Sequence, residues 1–245
     1  NIVWGGLRVY MPDTTNYGNV TLLAVRAQAS NNLSSMSARQ INVIATRKIR
    51  TVTATGLSTA ASATRSVAAA LADIATNTTY GGGIAASSID WAALYALEQT
   101  LSARGDYLDI RFDSATTLWE ALTQAGIVAR TKPFFQGGVL HFVRDQSQSV
   151  PVALFSMRNI VQNSMSINYL TPTNETADSV QVTYFDRNTW QQTTVSCVLS
   201  GSTSVNPAKI ALLGITERSQ AFREGLYQAA ANKYRRKVIK FSTEA

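Results

Sequence analysis

Four carboxylates lie close together along the chain and are its best candidates for chemistry: Asp106, Asp109, Asp113 and Glu120. A glycosidase needs two carboxyl groups about 5–10 Å apart on either side of a sugar. The same residues also suit helix ends, because Asp106 follows Gly105 and Asp113 precedes a predicted helix as a cap or first-turn acid. We favour the capping role. The alternative is a glycan hydrolase built around Asp109 or Asp113, which requires an open cleft and one raised carboxyl pKa.

The sequence offers few other reactive groups. His141 is the only histidine, lies between Leu140 and Phe142 in a predicted strand, and is not accompanied by a Gly-x-Ser-x-Gly motif. Cys197 is the only cysteine, which excludes an internal disulfide, and its apolar neighbours indicate a packed thiol. A zinc site would lack its usual ligands. We therefore predict no catalytic residue, no cofactor and no metal site.

A run of three glycines after Tyr80 could be mistaken for a phosphate-binding loop. Gly81, Gly82 and Gly83 are not followed by the Gly-Lys-Ser/Thr sequence of such loops, and they come after a helix instead of a strand. We interpret them as a turn between two helices.

A glycan-binding module is a further alternative, because such modules present exposed aromatic side chains in a row. Trp91, Trp119 and Trp190 are the candidates. The first two lie in predicted helices.

Charged residues are sparse for a globular protein. They make up 15% of the 245 residues against an average of about 25%, whereas hydrophobic residues make up 45%. Few charges together with many Thr, Ser, Asn and Gln indicate either surfaces that contact other proteins or the ordinary exposed faces of β-strands. Both interpretations stay open. No apolar run reaches the length of about 18 residues that a membrane-spanning helix requires.

The net charge of +7 is unevenly distributed, with +5 in residues 1–50, −3 in residues 51–130 and +5 in residues 131–245. Basic residues cluster at residues 47–50 and 233–240. The second cluster closes a predicted helix, where cations interact favourably with the helix dipole. Weak electrostatic contact with DNA is compatible with these clusters, but no motif predicts specific nucleic-acid binding.

The predicted fold class is α+β, with two β-rich, sandwich-like or barrel-like regions flanking a small helical unit. Residues 1–50 have β-prone segments at residues 7–10, 20–29 and 41–46. Three strands are too few to close a core, so we expect them to complete a β-domain with other parts of the polypeptide. The helical unit covers residues 51–131, and residues 132–245 form the second β-rich domain.

Three helices are expected in the helical unit. Their predicted buried residues are, in order, Val67, Leu71 and Ile74; Leu94, Leu97 and Leu101; and Leu118, Leu122 and Ala125. Ser62 or Thr64 is expected to cap the first helix, and the second runs from about Ser88 to a stop at Gly105. The third begins with a capping box at Thr117.

A hairpin opens the second β-rich domain, at residues 133–145. Gly137 and Gly138 supply a tight turn where positive φ costs little, Phe134 and Phe135 lie on one arm, and residues 139–143 form the other. Further strands are predicted at residues 150–155, 165–169, 179–184, 192–199 and 238–242. A helix over about residues 216–236 is predicted to turn its apolar side chains inward: Phe222, Leu226, Ala229 and Ala230.

A series of short motifs gives the chain a family resemblance. Besides the hairpin, the motifs occupy residues 19–25, 38–47, 80–83, 89–90, 118–122, 155–160, 177–180, 182–184, 207–209, 220–224 and 232–236. In this order they resemble those of phage tail tip attachment proteins, the J-like central tail hub or host specificity family. The resemblance covers nearly the whole chain, and its specificity comes from the order of the motifs.

The resemblance implies a structural, non-enzymatic hub in the tail tip of a phage or prophage. Such hubs are homotrimers around the tail axis, contact the distal tail protein and the tape measure protein, and carry C-terminal modules for attachment to the host surface. The expected location is the distal end of the virion tail, after synthesis in the bacterial cytoplasm. The chain begins at Asn1 and stops after the strand near Phe241. We therefore expect an internal hub fragment without the host-binding modules, in which Gly81, Gly82, Gly83, Gly137 and Gly138 shape structural turns.

Overall fold

The computed structural model describes residues 43–151, 153–171, 177–203 and 205–243. Contacts divide the chain into residues 1–45 and residues 46–245, and every element described here lies in the second unit. The helices are α1 (Val67–Thr76), α2 (Trp91–Arg104), α3 (Leu118–Ile127) and α4 (Arg218–Tyr234). The strands are β1 (Lys48–Thr53), β2 (Gly56–Ala63), β3 (Thr131–Gln136), β4 (Val139–Arg144), β5 (Ser166–Tyr169), β6 (Ser179–Asp186), β7 (Gln191–Val198), β8 (Ala208–Ala211) and β9 (Lys237–Lys240).

The mixture of helices and small sheets confirms the α+β class. The described strands form four small sheets, ordered β1-β2, β3-β4, β5-β9 and β7-β6-β8, instead of the two sandwich-like or barrel-like regions that we predicted. One apolar core runs through the helices and the three-stranded sheet, from Val52 and Val67 to Ala221 and Ala229.

The beginning of the described chain differs from the sequence-based expectation. The strand predicted at residues 41–46 is not present over residues 43–46, and a strand begins instead at Lys48. Strands β1 and β2 form an antiparallel hairpin inside the segment that we assigned mostly to helices. The strands predicted at residues 7–10 and 20–29 lie outside the described residues.

The three helices of the predicted helical unit are all present. Ser66 caps α1, because its side chain accepts a hydrogen bond from the Ala69 backbone N–H. The expected cap at Ser62 or Thr64 is wrong, since β2 continues to Ala63. Helix α2 begins at Trp91 after a 3₁₀ turn and ends at Gly105, whose φ of 66° gives the expected left-handed stop.

Helix α3 begins with the predicted capping box. The Thr117 side chain accepts from the Glu120 backbone N–H, and the Glu120 carboxylate accepts from the Thr117 backbone N–H. The predicted inward residues of the three helices are buried or partly buried, and the most deeply buried leucines are Leu71, Leu94, Leu101 and Leu122.

Strands β3 and β4 form the predicted hairpin. Gln136 pairs with Val139, so Gly137 and Gly138 make a two-residue turn, with φ values of 59° and 80°. Two consecutive positive φ angles are the geometry of a type I′ turn, which glycine adopts without steric cost.

The three-stranded sheet is the platform for helix α4. Strand β6 is antiparallel to β7 and parallel to β8, a strand that the sequence analysis did not identify. The predicted alternation is confirmed, since Val180, Val182 and Tyr184 are all buried. The strand predicted at residues 150–155 is absent from its described residues.

Helix α4 confirms the predicted inward face in part, since Ala229 is buried and Leu226 is partly buried against the core, but small and polar residues make up most of that face. Its buried residues are Gln220, Ala221, Glu224, Gly225 and Ala229, whereas the predicted inward residue Phe222 is 39% exposed. The cause is the short separation between helix and sheet. A Cβ atom on Gly225 would lie 2.3 Å from Sγ of Cys197 and 2.6 Å from Cγ2 of Val182. A larger side chain therefore has no space at this position of the helix.

Strands β5 and β9 pair with each other, from Ser166 with Lys240 to Tyr169 with Lys237. Both were predicted as strands, at residues 165–169 and 238–242. We call this two-stranded sheet the ribbon. All of its eight residues are exposed.

The substitution Gly225→Ala should lower the free energy of unfolding by about 1–3 kcal/mol, because the added methyl group overpacks the contact with Cys197 and Val182. Urea denaturation measures this change. Alanine is intrinsically the better helix former by about 1 kcal/mol, so a variant stabilised by that amount would contradict the close packing. Adding Cys197→Ala should recover part of the loss relative to the sum of the single variants.

Candidate functional site

The structure places Asp109 in an ion pair that joins distant parts of the chain. Arg65 donates to it through Nε, 2.8 Å from Oδ1, and through Nη2, 2.5 Å from Oδ2. Thr216 also donates to Asp109, and Arg65 makes a second ion pair with Glu217 at 3.2 Å. Burial opposes ionisation of Asp109, but the hydrogen bonds from Arg65 and Thr216 outweigh it and lower the pKa of the carboxyl group. The arrangement holds a permanent carboxylate and ties the start of α1 to the start of α4.

The other three candidate carboxylates have different partners. Asp106 is buried and pairs with Arg104 at 2.6 Å and with Arg223 at 2.5 Å. Asp113 is exposed in a loop and pairs with Arg111, so its predicted role as a cap or first-turn acid is wrong. Glu120 serves in the capping box, which lowers its pKa through the hydrogen bonds from Thr117. None of the four shares a hydrogen-bonding partner with another in the described part of the chain.

His141 and Cys197 are both accounted for by packing. The His141 ring lies within strand β4, with Nδ1 2.9 Å from Oδ2 of Asp90, and stacks on Phe134 with ring centroids 5.1 Å apart. Cys197 is buried against α4, and burial raises the pKa of its thiol. Among the described residues, no group of His, Cys, Asp and Glu side chains could hold a metal ion.

The candidate glycines and tryptophans lie in separate elements. Gly81 and Gly82 follow α1 in close contact with other groups, since a Cβ on Gly82 would lie 2.4 Å from Cδ2 of Leu118. Trp91 lies in α2, where its indole N–H donates to the Ala86 carbonyl. Trp119 lies in α3 and stacks on Phe135 of the hairpin, with ring centroids 6.2 Å apart.

A larger charged cluster escaped the sequence analysis. We call it the arginine network, and it consists of Arg104, Asp106, Arg130, Arg144, Arg223 and Glu224. Glu224 lies 3.1 Å from Nε of Arg130 and 3.9 Å from Nη2 of Arg104. Burial raises the pKa of Glu224 despite these cations. One signal in the sequence could have revealed the arginine network. Gln220 and Glu224 are one helical turn apart among small residues, which places two polar side chains on the same face of the helix.

Exposed apolar side chains lie along the ribbon. Because side chains alternate along a strand, Ile167, Tyr169 and Ile239 lie on the same face, with Ile167 directly opposite Ile239. These residues are 41%, 65% and 49% exposed. The preceding segment adds two more exposed apolar side chains, Leu154 and Met157. Within the part of the chain that the structure describes, this face of the ribbon is exposed, and a two-stranded sheet is only marginally stable on its own in water.

A family model described as "Putative phage tail protein" matches residues 120–245, just over half of the chain. The chain belongs to this phage tail protein family. The matched region contains most of α3, the hairpin, the ribbon, the three-stranded sheet and α4. The phage tail part of the predicted resemblance is therefore confirmed.

Among solved structures, the phage tail protein is similar to the crystal structure of the tail protein from Neisseria meningitidis MC58. The two share 15% sequence identity with a TM-score of 0.38, a value that does not establish a common fold. The match covers 62% of the phage tail protein and spans half the length of the Neisseria chain. No curated protein matches the chain. None of the described helices is long and apolar enough to cross a membrane.

The substitution Asp109→Asn should lower the free energy of unfolding by about 1–2 kcal/mol at pH 7, a figure that allows for the partial exposure of the pair. Since the folded-state pKa lies below the unfolded value of about 3.9, the carboxylate stabilises the fold above that pH. The stabilisation disappears as the pH falls through the folded-state pKa.

Urea denaturation of both proteins over a pH series measures this effect, and the difference between them should shrink below about pH 4. Asp113→Asn is the matched control, because Asp113 is exposed and its variant should stay within about 0.5 kcal/mol of the parent protein. A constant difference across the series would contradict the assigned ion pair.

Proposed function

We propose that this phage tail protein is a structural part of the central hub at the tail tip and acts through protein contacts in tail assembly and host attachment. The ordered series of motifs that resembles the tail tip family supports this position in the tail. The ribbon supports the mode of action. A sheet with its apolar face uncovered is suited to a component whose fold is completed by its neighbours.

The ribbon suits a permanent interface better than a transient one. Ile167, Tyr169 and Ile239 form a small contiguous apolar face, with Lys237 beside it over the Tyr169 ring at 5.4 Å. Burying an isoleucine side chain stabilises an interface by about 1.5–3 kcal/mol. An amphipathic tyrosine adds contact area at low entropic cost. The low overall charge agrees with such contacts, because charged residues are depleted at the centres of interfaces.

A non-enzymatic role is part of the proposal. A glycan hydrolase built around Asp109 or Asp113 would require one carboxyl group with a raised pKa in an open cleft. The pKa of Asp109 is lowered instead, and Asp113 is exposed beside Arg111. Asp109 has the position expected of a structural ion pair, and Asp113 that of an exposed surface carboxylate.

The proposed neighbours are further copies of the chain in a homotrimer, the distal tail protein and the tape measure protein. Host-surface recognition would belong to modules outside this chain. Specific nucleic-acid binding is not proposed, since several basic side chains near the end of α4 already contact protein groups. Arg235, for example, pairs with Asp145 at 2.7 Å.

Immunogold electron microscopy tests the proposed position. An antibody against this chain should place gold at the distal end of permeabilised tailed particles from the source strain. Gold distributed along the tail tube would contradict the hub position while leaving membership of the tail protein family intact. Particles without label would contradict both the hub position and a structural role in the mature tail.

The substitution Ile239→Lys in the full-length protein should reduce its incorporation into tails by at least about tenfold, because it places a charge within the apolar face of the ribbon. Incorporation is measured by quantitative blotting of purified particles. Stability should change little, since Ile239 is exposed. Asn168→Lys is the matched control, because it adds the same charge on the opposite face of the same ribbon. Normal incorporation of the Ile239 variant would remove the ribbon from the interface.

A further inference from the structure

The arginine network contains more positive than negative charge. Four guanidinium groups, those of Arg104, Arg130, Arg144 and Arg223, face only two carboxylates, those of Asp106 and Glu224. A third carboxylate, Asp145, lies next to Arg144 in sequence but is bound by Tyr227 and Arg235. The network therefore carries an excess of two positive charges when both of its carboxylates are ionised.

Arg144 is the least compensated member of the network. It is only 9% exposed, and its Nη1 donates to Oε1 of Gln146 at 2.9 Å. Its Nε and Nη2 are buried and have no hydrogen-bond partner among the described residues. Buried donors are satisfied in the great majority of native structures, and an uncompensated buried cation is costly.

One neighbouring member of the network also has an unsatisfied donor, since Nε of Arg223 is buried without a hydrogen-bond partner among the described residues. Nε of Arg130 lies 3.1 Å from Oε2 of Glu224, whose other oxygen, Oε1, is buried and forms no hydrogen bond within the described residues. Burial, followed by the nearby charges of Arg130 and Arg104, lowers the pKa of Arg144. Unsatisfied donors on Arg144 and Arg223 and like-charge repulsion both indicate that a negatively charged acceptor belongs here.

We propose that the arginine network binds a small oxyanion, such as inorganic phosphate or sulfate. Its oxygens would accept hydrogen bonds from Nε and Nη2 of Arg144 and offset the excess charge. Guanidinium groups are well matched to tetrahedral oxyanions, since their planar N–H pairs donate to two oxygens at once. The burial of Arg144 favours a small ion over a side chain of another protein. The side chains of Arg104 and Arg223, about one third exposed, mark the side from which it would enter.

Thermal unfolding of the full chain in increasing inorganic phosphate tests the site, with sodium chloride at matched ionic strength as reference. At ten times the dissociation constant, the midpoint temperature should rise by about 3–6 °C for a chain of this size. Phosphate also stabilises proteins through exclusion from their surface, so the decisive quantity is the difference between variants.

Arg144→Gln should lose this phosphate-dependent rise, because it removes the charge and the unpaired donors together. Arg111→Gln is the matched control and should keep the full rise, since Arg111 is exposed and outside the network. Arg144→Lys keeps the charge but lacks the planar donor pair, so it should lose most of the phosphate-dependent rise. This variant replaces Arg144→Gln in the test if the glutamine variant does not fold. Sulfate should reproduce the effect of phosphate, whereas acetate at the same ionic strength should not.

An equal rise in the Arg144 variants and in the parent protein would overturn the proposal, because phosphate would then act elsewhere. No rise above the chloride reference would overturn it as well. Isothermal titration of the parent protein with phosphate gives an independent reading, for which one site per chain is expected. The result does not depend on whether the protein lies at the tail tip.

Discussion

The close approach of helix α4 to strands β6 and β7 sets the character of much of this protein. At Gly225 the helix lies so near Cys197 and Val182 that even a methyl group would collide with them. A large side chain is therefore excluded at this position, and Phe222 lies at the surface. The remaining inward positions are filled by small residues or by polar residues that reach past the sheet. The short separation between helix and sheet thus leaves most of the inward face of α4 to small and polar residues.

Those polar groups connect the C-terminal sheet to the preceding helices. Gln220 is fully buried, and its amide accepts from the Tyr107 backbone N–H and donates to the Tyr107 carbonyl, both at 3.0 Å. Arg223 and Glu224 extend the connection to Asp106, Arg104 and Arg130. Because removing one partner of a buried polar pair costs more than the pair contributes, these contacts fix the relative position of the elements. They give specificity to an interface that apolar packing alone would leave less defined.

The sequence was sufficient to predict those elements whose structure depends on residues close to them in the chain. The capping box at Thr117, the stop at Gly105, the turn at Gly137 and Gly138, and the alternation in β6 all depend on neighbouring residues. The burial of Gln220, Glu224 and Gly225 in α4 could not be predicted, because it depends on how near a sheet from elsewhere in the chain approaches. The same reason applies to the pairing of Arg65 with Asp109 and to the arginine network, whose members are distant in sequence. Asp113 was misassigned because Thr117 is the cap. The exposed apolar face of the ribbon could not be predicted either, because the sequence does not show which elements pack against a strand.

The two strands of the ribbon are far apart in the chain, and residues 170–236 between them include β6, β7, β8 and α4. Pairing such distant segments first would require closing a long flexible loop for little gain in contact. Folding of the sheet and α4 brings the ends of the loop together and makes the pairing favourable. The ribbon is therefore expected to form last, after the core is complete. A chain that has not finished folding would have no ribbon to present, and assembly through this surface would select folded subunits.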